Sequence, residues 1–460
     1  MNEKDKVSPE LSTQHLEFSI RIPAIRFEGF EGEWSEKELC DFADVLDGDR
    51  GSNYPSGNNL QQSGHTLFLS ASNVTKNGFK FDENQFITEE KSNSMGNGKL
   101  APNDIVLTSR GSVGHIAWYS NNVNKKIPFA RINSGMLVLR MRVGVTPCFV
   151  AQYLKSPLGK NKIDLISFGS AQPQLTKTSV ENYSLNISTD QLEQTKIGNY
   201  FQQLDTLITQ HKQKHEKLLN IKKALLEKMF PKGMMSDELG MMNEKNSPRH
   251  NSALSTRIPE IRFKGFSGEW EQYTLGDLLD ITSASRVHKN EWTKSGVPFF
   301  RSSDVVADYK GLKNNKAFIS FDLYEQLSNK SGCVRKNDLL VTGGGSIGIP
   351  YLVKTDEPLY FKDADLLWLK NTKGIDGYFI YIVFSTSAFR GYLASIAHIG
   401  TISHYTIEQA KSTPIKVPGE KEQTKIGTLF KKLDTLLTQH QTQLKKLNNI
   451  KQACLEKMFV

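Results

Sequence analysis

Cysteine is scarce: four in 460 residues, at positions 40, 148, 333 and 454. No two have the spacing of a zinc or redox pair, so neither a zinc module nor a disulfide frame is expected, and a reducing compartment fits. No apolar run is long enough to span a bilayer; the longest lies near Tyr378–Phe384. The opening MNEKDKVSPELSTQH has no apolar signal region. These absences predict a soluble, unexported, cytoplasmic chain. Catalytic signatures are missing as well. GGGSIGIP, Gly343–Pro350, has Ile-Pro where a Walker phosphate loop needs Lys-Ser/Thr, and SRGSVGHI, Ser109–Ile116, is equally incomplete. There is no HExxH, GxSxG or paired CxxC, and no Asn/Asp-Pro-Pro-aromatic tetrapeptide of the kind amino-methyltransferases use.

What is present is basic and duplicated. Lys and Arg total 58 against 49 Asp and Glu, a net charge of +9 with pI about 9.1. That admits a polyanionic partner without requiring one. The length implies two to four domains. RIPAIRFEGFEGEW, Arg21–Trp34, returns as RIPEIRFKGFSGEW, Arg257–Trp270, differing at three positions. EQTKIGNYFQQLDTLITQHKQKHEKLLNIKKALLEKMF, Glu193–Phe230, returns as EQTKIGTLFKKLDTLLTQHQTQLKKLNNIKQACLEKMF, Glu422–Phe459. The order is short motif, variable block, long motif, then all three again: a tandem duplication too long for a solenoid repeat.

The long motif reads as a helix. Ile197, Phe201, Leu204 and Ile208, then Leu218, Leu225 and Met229, recur at three- and four-residue spacing, and no proline interrupts either copy. Such a rod of about 57 Å must bury its stripe, and the other copy is the obvious partner in a coiled-coil pair. A core helix of a bundle is the plainer alternative. His211 and His440 fall at matching seam positions, as a polar layer would place them. Pro231–Thr256, rich in Pro, Gly, Ser and Asn, reads as a linker.

The variable blocks diverge but keep a skeleton. Both contain NDxxxTxxGSxG, at Asn103–Gly114 and Asn337–Gly348, which predicts a strand, a glycine turn and a second strand. LFLSASNV (Leu67–Val74) matches FFRSSDVV (Phe299–Val306), and FGSAQPQLT (Phe168–Thr176) matches IGTISHYTI (Ile399–Ile407). A helix is expected at Pro147–Leu154 and at Tyr378–Leu393. Each block is therefore a mixed α/β (α+β) unit with a curved sheet. KDADLLWLK, Lys362–Lys370, carries acids, but ARINSGMLVLRM at the matching place in block one has none, which argues against a shared active site.

The RxPxIRFxGFxGEW lead segment, the two divergent blocks and the two EQxKIGxxFxxLDxLxxxH…LExMF helices together resemble the DNA-specificity subunit of type I restriction–modification systems. The likeness covers nearly all of the chain beyond its first twenty residues and the linker. It implies a tail (1–20), a first target recognition domain (21–190), a long helix (191–230), a linker (231–256), a second recognition domain (257–420) and a second long helix (421–460). The helices would pair antiparallel, giving an internal pseudo-two-fold, and would space two domains that each read half of a bipartite, asymmetric site on double-stranded DNA. The subunit would be non-catalytic and hold no cofactor. It would recruit two adenine-methylating modification subunits and, through them, restriction subunits. S-adenosylmethionine, ATP and Mg would belong to those partners.

An internal two-fold gives two equivalent docking faces, hence two copies of one partner. Phe27, Phe30 and Trp34, with Phe263, Phe266 and Trp270, are either its anchors or packing between lead segment and domain. For DNA contact the glycine turn and second loop nominate Ser109, Arg110, Ser112, Gln172 and Gln174 in block one, and Arg301, Ser302, Ser346, His404 and Tyr405 in block two. Phosphate contacts are expected from scattered lysines. A stand-alone DNA-modifying enzyme and a coiled-coil scaffold are the alternatives.

Overall fold

The structure, a computed structural model, describes residues 21–169, 173–232, 257–361, 366–397 and 404–460. It divides into two compact units: the described residues up to His211 together with Gln443–Val460, and Lys212–Thr442. Each unit thus takes the first half of one long helix and the last half of the other, so the compact units cut across the segments expected from sequence.

In the first unit, the central antiparallel sheet runs β2 (Ala43–Asp47), β10 (Met136–Met141), β7 (Ile105–Thr108), β8 (Ile116–Trp118). Both faces are covered. Ile105, Leu107, Leu137 and Leu139 pack with Trp34, Phe149 and Phe201, while Val106, Val138 and Ala117 pack with Leu67, Leu69 and Ile132 on the other side. Two buried faces explain why β7 and most of β10 read as unbroken apolar runs rather than alternating ones, while the edge strand β2 keeps the exposed Asp44. The second face is covered by a smaller sheet, β6 (Phe86–Ile87), β3 (Thr66–Leu69), β9 (Ala130–Ile132), in which β3 and β9 are parallel. The hairpin β4 (Val74–Thr75) and β5 (Gly78–Phe79) follows β3, and β1 (Ser35–Glu38) pairs with β11 (Ser184–Ile187).

The second unit repeats the plan. Its central sheet is β13 (Asp280–Thr282), β19 (Leu366–Lys370), β16 (Leu339–Thr342), β17 (Pro350–Leu352). Its smaller sheet is β15 (Ala317–Ile319), β14 (Val297–Phe300), β18 (Tyr360–Phe361), and β12 (Glu271–Thr274) pairs with β20 (Pro414–Val417).

The long helices are Gln191–Lys228 and Glu420–Lys457, 38 residues each. Within each unit their segments run antiparallel. In the first, Tyr200 meets Cys454, Asp205 accepts from Lys451 at 2.6 Å, and Phe201 stacks on Phe459. In the second, Asp434 accepts from Lys222 and Phe430 lies against Phe230. The aspartate–lysine and phenylalanine pairs are the same with the two copies exchanged, while Leu429 and Leu225 stand where Tyr200 and Cys454 meet.

The two repeated motifs are complementary. Arg26 of the lead segment donates from Nε and Nη2 to Glu193 at 2.6 and 2.9 Å, and Trp34 Nε1 donates to the same carboxylate at 3.2 Å. Arg262 grips Glu422 at 2.7 Å through both nitrogens, and that carboxylate raises the Arg262 pKa. Both carboxylates are almost fully buried, so each depends on its fork-shaped partner. The next residue, Gln194 or Gln423, donates to Ser188 O or Pro418 O, 2.8 Å in both units. The glycine of each KIG permits a close approach. A Cβ at Gly198 would lie 2.1 Å from Cys148 Sγ, and one at Gly427 2.3 Å from Asp376 Oδ1.

Three expectations need correction. The helix expected at Tyr378–Leu393 is two, Gly377–Val383 and Ser387–Ala397. Thr386 starts the second by accepting from Phe389 N, as Ser156 does for Pro157–Ile166 after the helix Pro147–Lys155. The matched segments are also one residue out of register. Capping pairs Ser70 and Asn73 with Arg301 and Asp304. The strand contacts of Leu175 and Tyr405 make those two equivalent, where the sequence match paired Gln174 with Tyr405.

Candidate nucleic-acid interface

The repeated NDxxxTxxGSxG is a folding device. Asn103 and Asn337 hold left-handed conformations, φ 72° and 73°, which asparagine tolerates better than most residues. The aspartate that follows is a buried acceptor: Asp104 binds Ala101 N and Arg140, and Asp338 binds Arg335 N, Asn371 N and Trp368 Nε1. Thr108 and Thr342 donate their hydroxyls to the carbonyls of Ser112 and Ser346, and accept from His115 N and Ile349 N at 2.9 Å. Gly111, Gly114, Gly345 and Gly348 supply the positive φ each turn requires. The result in both units is a rigid turn whose outer residues are exposed.

In the first unit that turn shares a sheet end with three other segments. Ser109 N and Arg110 N donate to Gly135 O, in the loop leading into β10, at 2.8 and 3.2 Å. Leu175 N, at the end of the second loop, donates to Ser109 O at 2.9 Å. The loop after β2 joins from the other side: Arg50 Nη2 reaches Asp47 Oδ1 and Ser134 O, both 3.4 Å. Asp49 fixes that loop by accepting from Gly51 N and Gly96 N at 2.8 and 3.0 Å, which lowers its pKa. In the second unit Tyr405 N donates to Gly343 O at 2.6 Å and Gly344 bridges to His404.

The nominated readers separate on this geometry. Arg110 and Ser112 are exposed on the first turn and Gln174 is half-buried beside it; Ser346 and His404 are exposed at the matching place in the second. Ser109 and Tyr405 are 1% exposed and are corrected to structural residues. Ser109 is the strand end that the second loop hydrogen-bonds, and the Tyr405 hydroxyl pairs with Thr413, its pKa raised by burial. Arg301 is engaged within its own domain, with Asp304, Asn315 O and the Trp292 ring, and the Ser302 hydroxyl is enclosed. Gln172 lies outside the described residues, as do Asp363 and Asp365 of the acidic stretch. Sequence reasoning misses Arg50, because no motif surrounds it.

The lead segments separate likewise. Trp34 and Trp270 are 1% exposed, so they are core, not anchors: Trp34 packs on Phe149 and Phe459, Trp270 on Phe230 and Phe379. Phe27 lies edge-on to Tyr200, Phe263 packs on the second core, and Phe30 and Phe266 lie under Lys196 and Lys425. The apolar side chains that the lead segments present outward are aliphatic, Ile22 and Ile25, with Ile258 and Ile261, 42–52% exposed, among exposed charges such as Glu28, Glu33, Lys264 and Glu269. Each segment is tied to a helix C-terminus, Ile25 N to Lys457 O and Ile261 N to Lys228 O, at 2.9 Å.

Among the described residues no single helix is long and apolar enough to cross a membrane, and no group of three or more His, Cys, Asp or Glu could hold a metal ion. Comparison with known proteins gives a consistent answer. A family described as "Type I restriction modification DNA specificity domain" matches twice, over residues 31–220 and 267–449. The EcoKI specificity subunit of Escherichia coli is 26% identical over 410 residues, 85% of this chain and 82% of that one. The MjaVIII specificity subunit of Methanocaldococcus jannaschii is 25% identical over 275 residues. The alignments to two of the curated relatives span only 40% and 59% of their lengths. A crystal structure of the type I restriction–modification S subunit from M. genitalium shares the fold, with TM-score 0.60 and 15% identity over 95% of this chain and 99% of that one. With two family matches that together cover most of its length, each over one set of the repeated four-, three- and two-stranded sheets, the chain belongs to the type I restriction–modification DNA specificity family.

Proposed function

We propose that the chain selects DNA sequence for a type I restriction–modification complex without catalysing a reaction itself. Each recognition domain reads one half of a bipartite, asymmetric site, and the helix pair sets the spacing. The observation that carries this reading is the contrast at one sheet end. An identical turn framework holds Arg110 and Gln174 in one unit and Gly344 and His404 in the other. Equivalent positions with different hydrogen-bonding chemistry suit two readers of unlike bases.

Partners dock on the parts that are duplicated. Two copies of a modification subunit would use the two lead segments, with Ile22 and Ile25 on one and Ile258 and Ile261 on the other as apolar contacts. Restriction subunits follow through them. S-adenosylmethionine, ATP and Mg serve the partners' chemistry.

Exchanging residues 35–190 for the block of another family member should change one half of the methylated sequence and leave the other half and the gap intact. Altered readout in both halves would contradict independent domains. Adding residues within Gln210–Lys217 should change the gap and neither half-site; an unchanged gap would remove the helices as the ruler. Methyl transfer to DNA by the purified chain alone would defeat the non-catalytic assignment.

A further inference from the structure

The loops that follow β2 and β13 have diverged almost completely, yet they share one residue. Counting from Trp34 and Trp270, no insertion separates the copies: Asp47-Gly48-Asp49-Arg50-Gly51-Ser52 aligns with Ser283-Ala284-Ser285-Arg286-Val287-His288. Strand register confirms the alignment independently. Leu46 faces Val138 of β10 and Thr282 faces Trp368 of β19, while Thr108 faces Met136 and Thr342 faces Leu366. Arg50 and Arg286 therefore stand at equivalent chain positions within their own domains, both exposed, four residues beyond equivalent strand positions. They rise at the sheet end that carries the glycine turn. That turn also has an identical outer residue, Ser112 or Ser346, beside the unlike Arg110 and Gly344.

Two domains that read different bases cannot gain that difference from side chains they have in common. A side chain kept at an exposed reading edge whose neighbours have all changed suits a feature every DNA site offers, and the phosphate backbone is that feature. Arginine and the serine hydroxyl are both suited to phosphate oxygens. The Arg50 side chain does not hold its own loop: it makes only the two 3.4 Å contacts already described, and its neighbour Asp49 pins the loop.

We propose that Arg50 with Ser112, and Arg286 with Ser346, form one phosphate grip in each recognition domain, setting its register on the duplex while Arg110, Gln174 and His404 discriminate bases. This rests on the DNA-reading function above. It replaces scattered lysines with a specific pair of arginines as the positioning contacts.

The test uses the full chain purified with its modification subunits, a pool of random-sequence duplex DNA, and the variants Arg50→Gln, Arg286→Gln and Arg50→Lys. Each Gln variant should bind more weakly, with the slope of log affinity against log salt shallower by about one. The sequence recovered from the pool should stay the same in both halves, and Arg50→Lys should regain the slope. A changed preference in either half would make the arginine a base reader and overturn the proposal. Unchanged affinity and slope, or a slope that lysine fails to restore, would overturn it too. If the unaltered complex enriches no sequence, the DNA-reading function itself fails, whatever the variants do.

Discussion

Asp205 and Asp434 occupy the same turn of the same repeated helix, and each accepts from a lysine of the other copy, Lys451 or Lys222. Their second partners differ. Gln152 donates to Asp205 at 3.3 Å, whereas the Tyr378 hydroxyl donates to Asp434 at 2.7 Å. The pattern recurs. The ion pairs and ring contacts between repeated motifs are nearly the same in both units, the bond from Trp34 to Glu193 being an exception, and residues of the variable blocks meet the frame in whatever way their own domain allows. The duplicated sequence therefore marks contacts between motif and motif. Divergence begins where a motif touches a block, and is greatest at the sheet end.

The strongest way to break the likeness is to remove the buried carboxylate. Glu193→Ala strands the Arg26 guanidinium and the Trp34 Nε1, and should cost about 3 kcal/mol, the usual penalty for an orphaned buried charge. Glu422→Ala should cost less, because Trp270 Nε1 has no hydrogen-bond partner to lose. Denaturant unfolding of both variants measures the gap. Equal losses would mean that the tryptophan bond contributes nothing and that the clamps are energetically as well as geometrically alike.

The next test makes the first domain resemble the second at one point. Arg110→Gly copies Gly344 onto an exposed turn that the Thr108 hydroxyl already holds. It should leave folding unchanged and remove about 1–3 kcal/mol of base discrimination at one position of one half-site. Methylation mapping across a site library reads this directly, and a loss spread over both halves would place Arg110 outside direct readout.

Much of this was legible in the sequence. Apolar spacing and uninterrupted helix formers fixed both long helices, and the glycine turn followed from NDxxxTxxGSxG. The pairing of Arg26 with Glu193 was not, because 167 residues separate them and neither stretch shows periodicity toward the other. The sequence leaves the tryptophans open between anchors and packing, because their burial depends on the helix end that packs over them, Phe459 or Phe230. Matching side chains give a register one residue off, because the equivalent positions are set by hydrogen bonds with backbone groups, at Asn73 and Asp304 in the caps and at Leu175 and Tyr405 across the sheet end. Arg50 and Arg286 are missed in the sequence because no motif surrounds them, and pairing them needs the strand register that puts their loops beside the turns.

A smaller effect separates the two KIG glycines. Overpacking costs about 1–3 kcal/mol, partly offset by the gain of up to about 1 kcal/mol when alanine replaces a helical glycine. Gly198→Ala presses on the tip of Cys148, so Cys148→Ala should recover most of its loss. Gly427→Ala presses on Asp376 Oδ1, the oxygen that caps the helix Gly377–Val383 by accepting from Phe379 N. Removing Asp376 relieves the clash only by forfeiting the cap, so the second pair should show no rescue. A double-mutant cycle in each unit decides it, and rescue in both would show the cap to be dispensable.

The smallest difference concerns protons. Asp49, in the first unit only, is held below the usual carboxylate range by the N–H groups of Gly51 and Gly96, whereas Ser285 stands at the matching place in the second. A carboxylate whose folded pKa is depressed adds stability that is complete above its unfolded pKa, about 3.9, and is lost as pH falls through the folded value. Amide exchange at Gly51 and Gly96 should therefore be slower in the native chain than in Asp49→Asn at neutral pH, and the two should converge in acid below that range. Ser285 and Arg286 amides should show no such convergence. If the difference at Gly51 and Gly96 persisted unchanged to the lowest pH at which the fold survives, the charge on Asp49 would not be what holds the loop, and geometry alone would position Arg50.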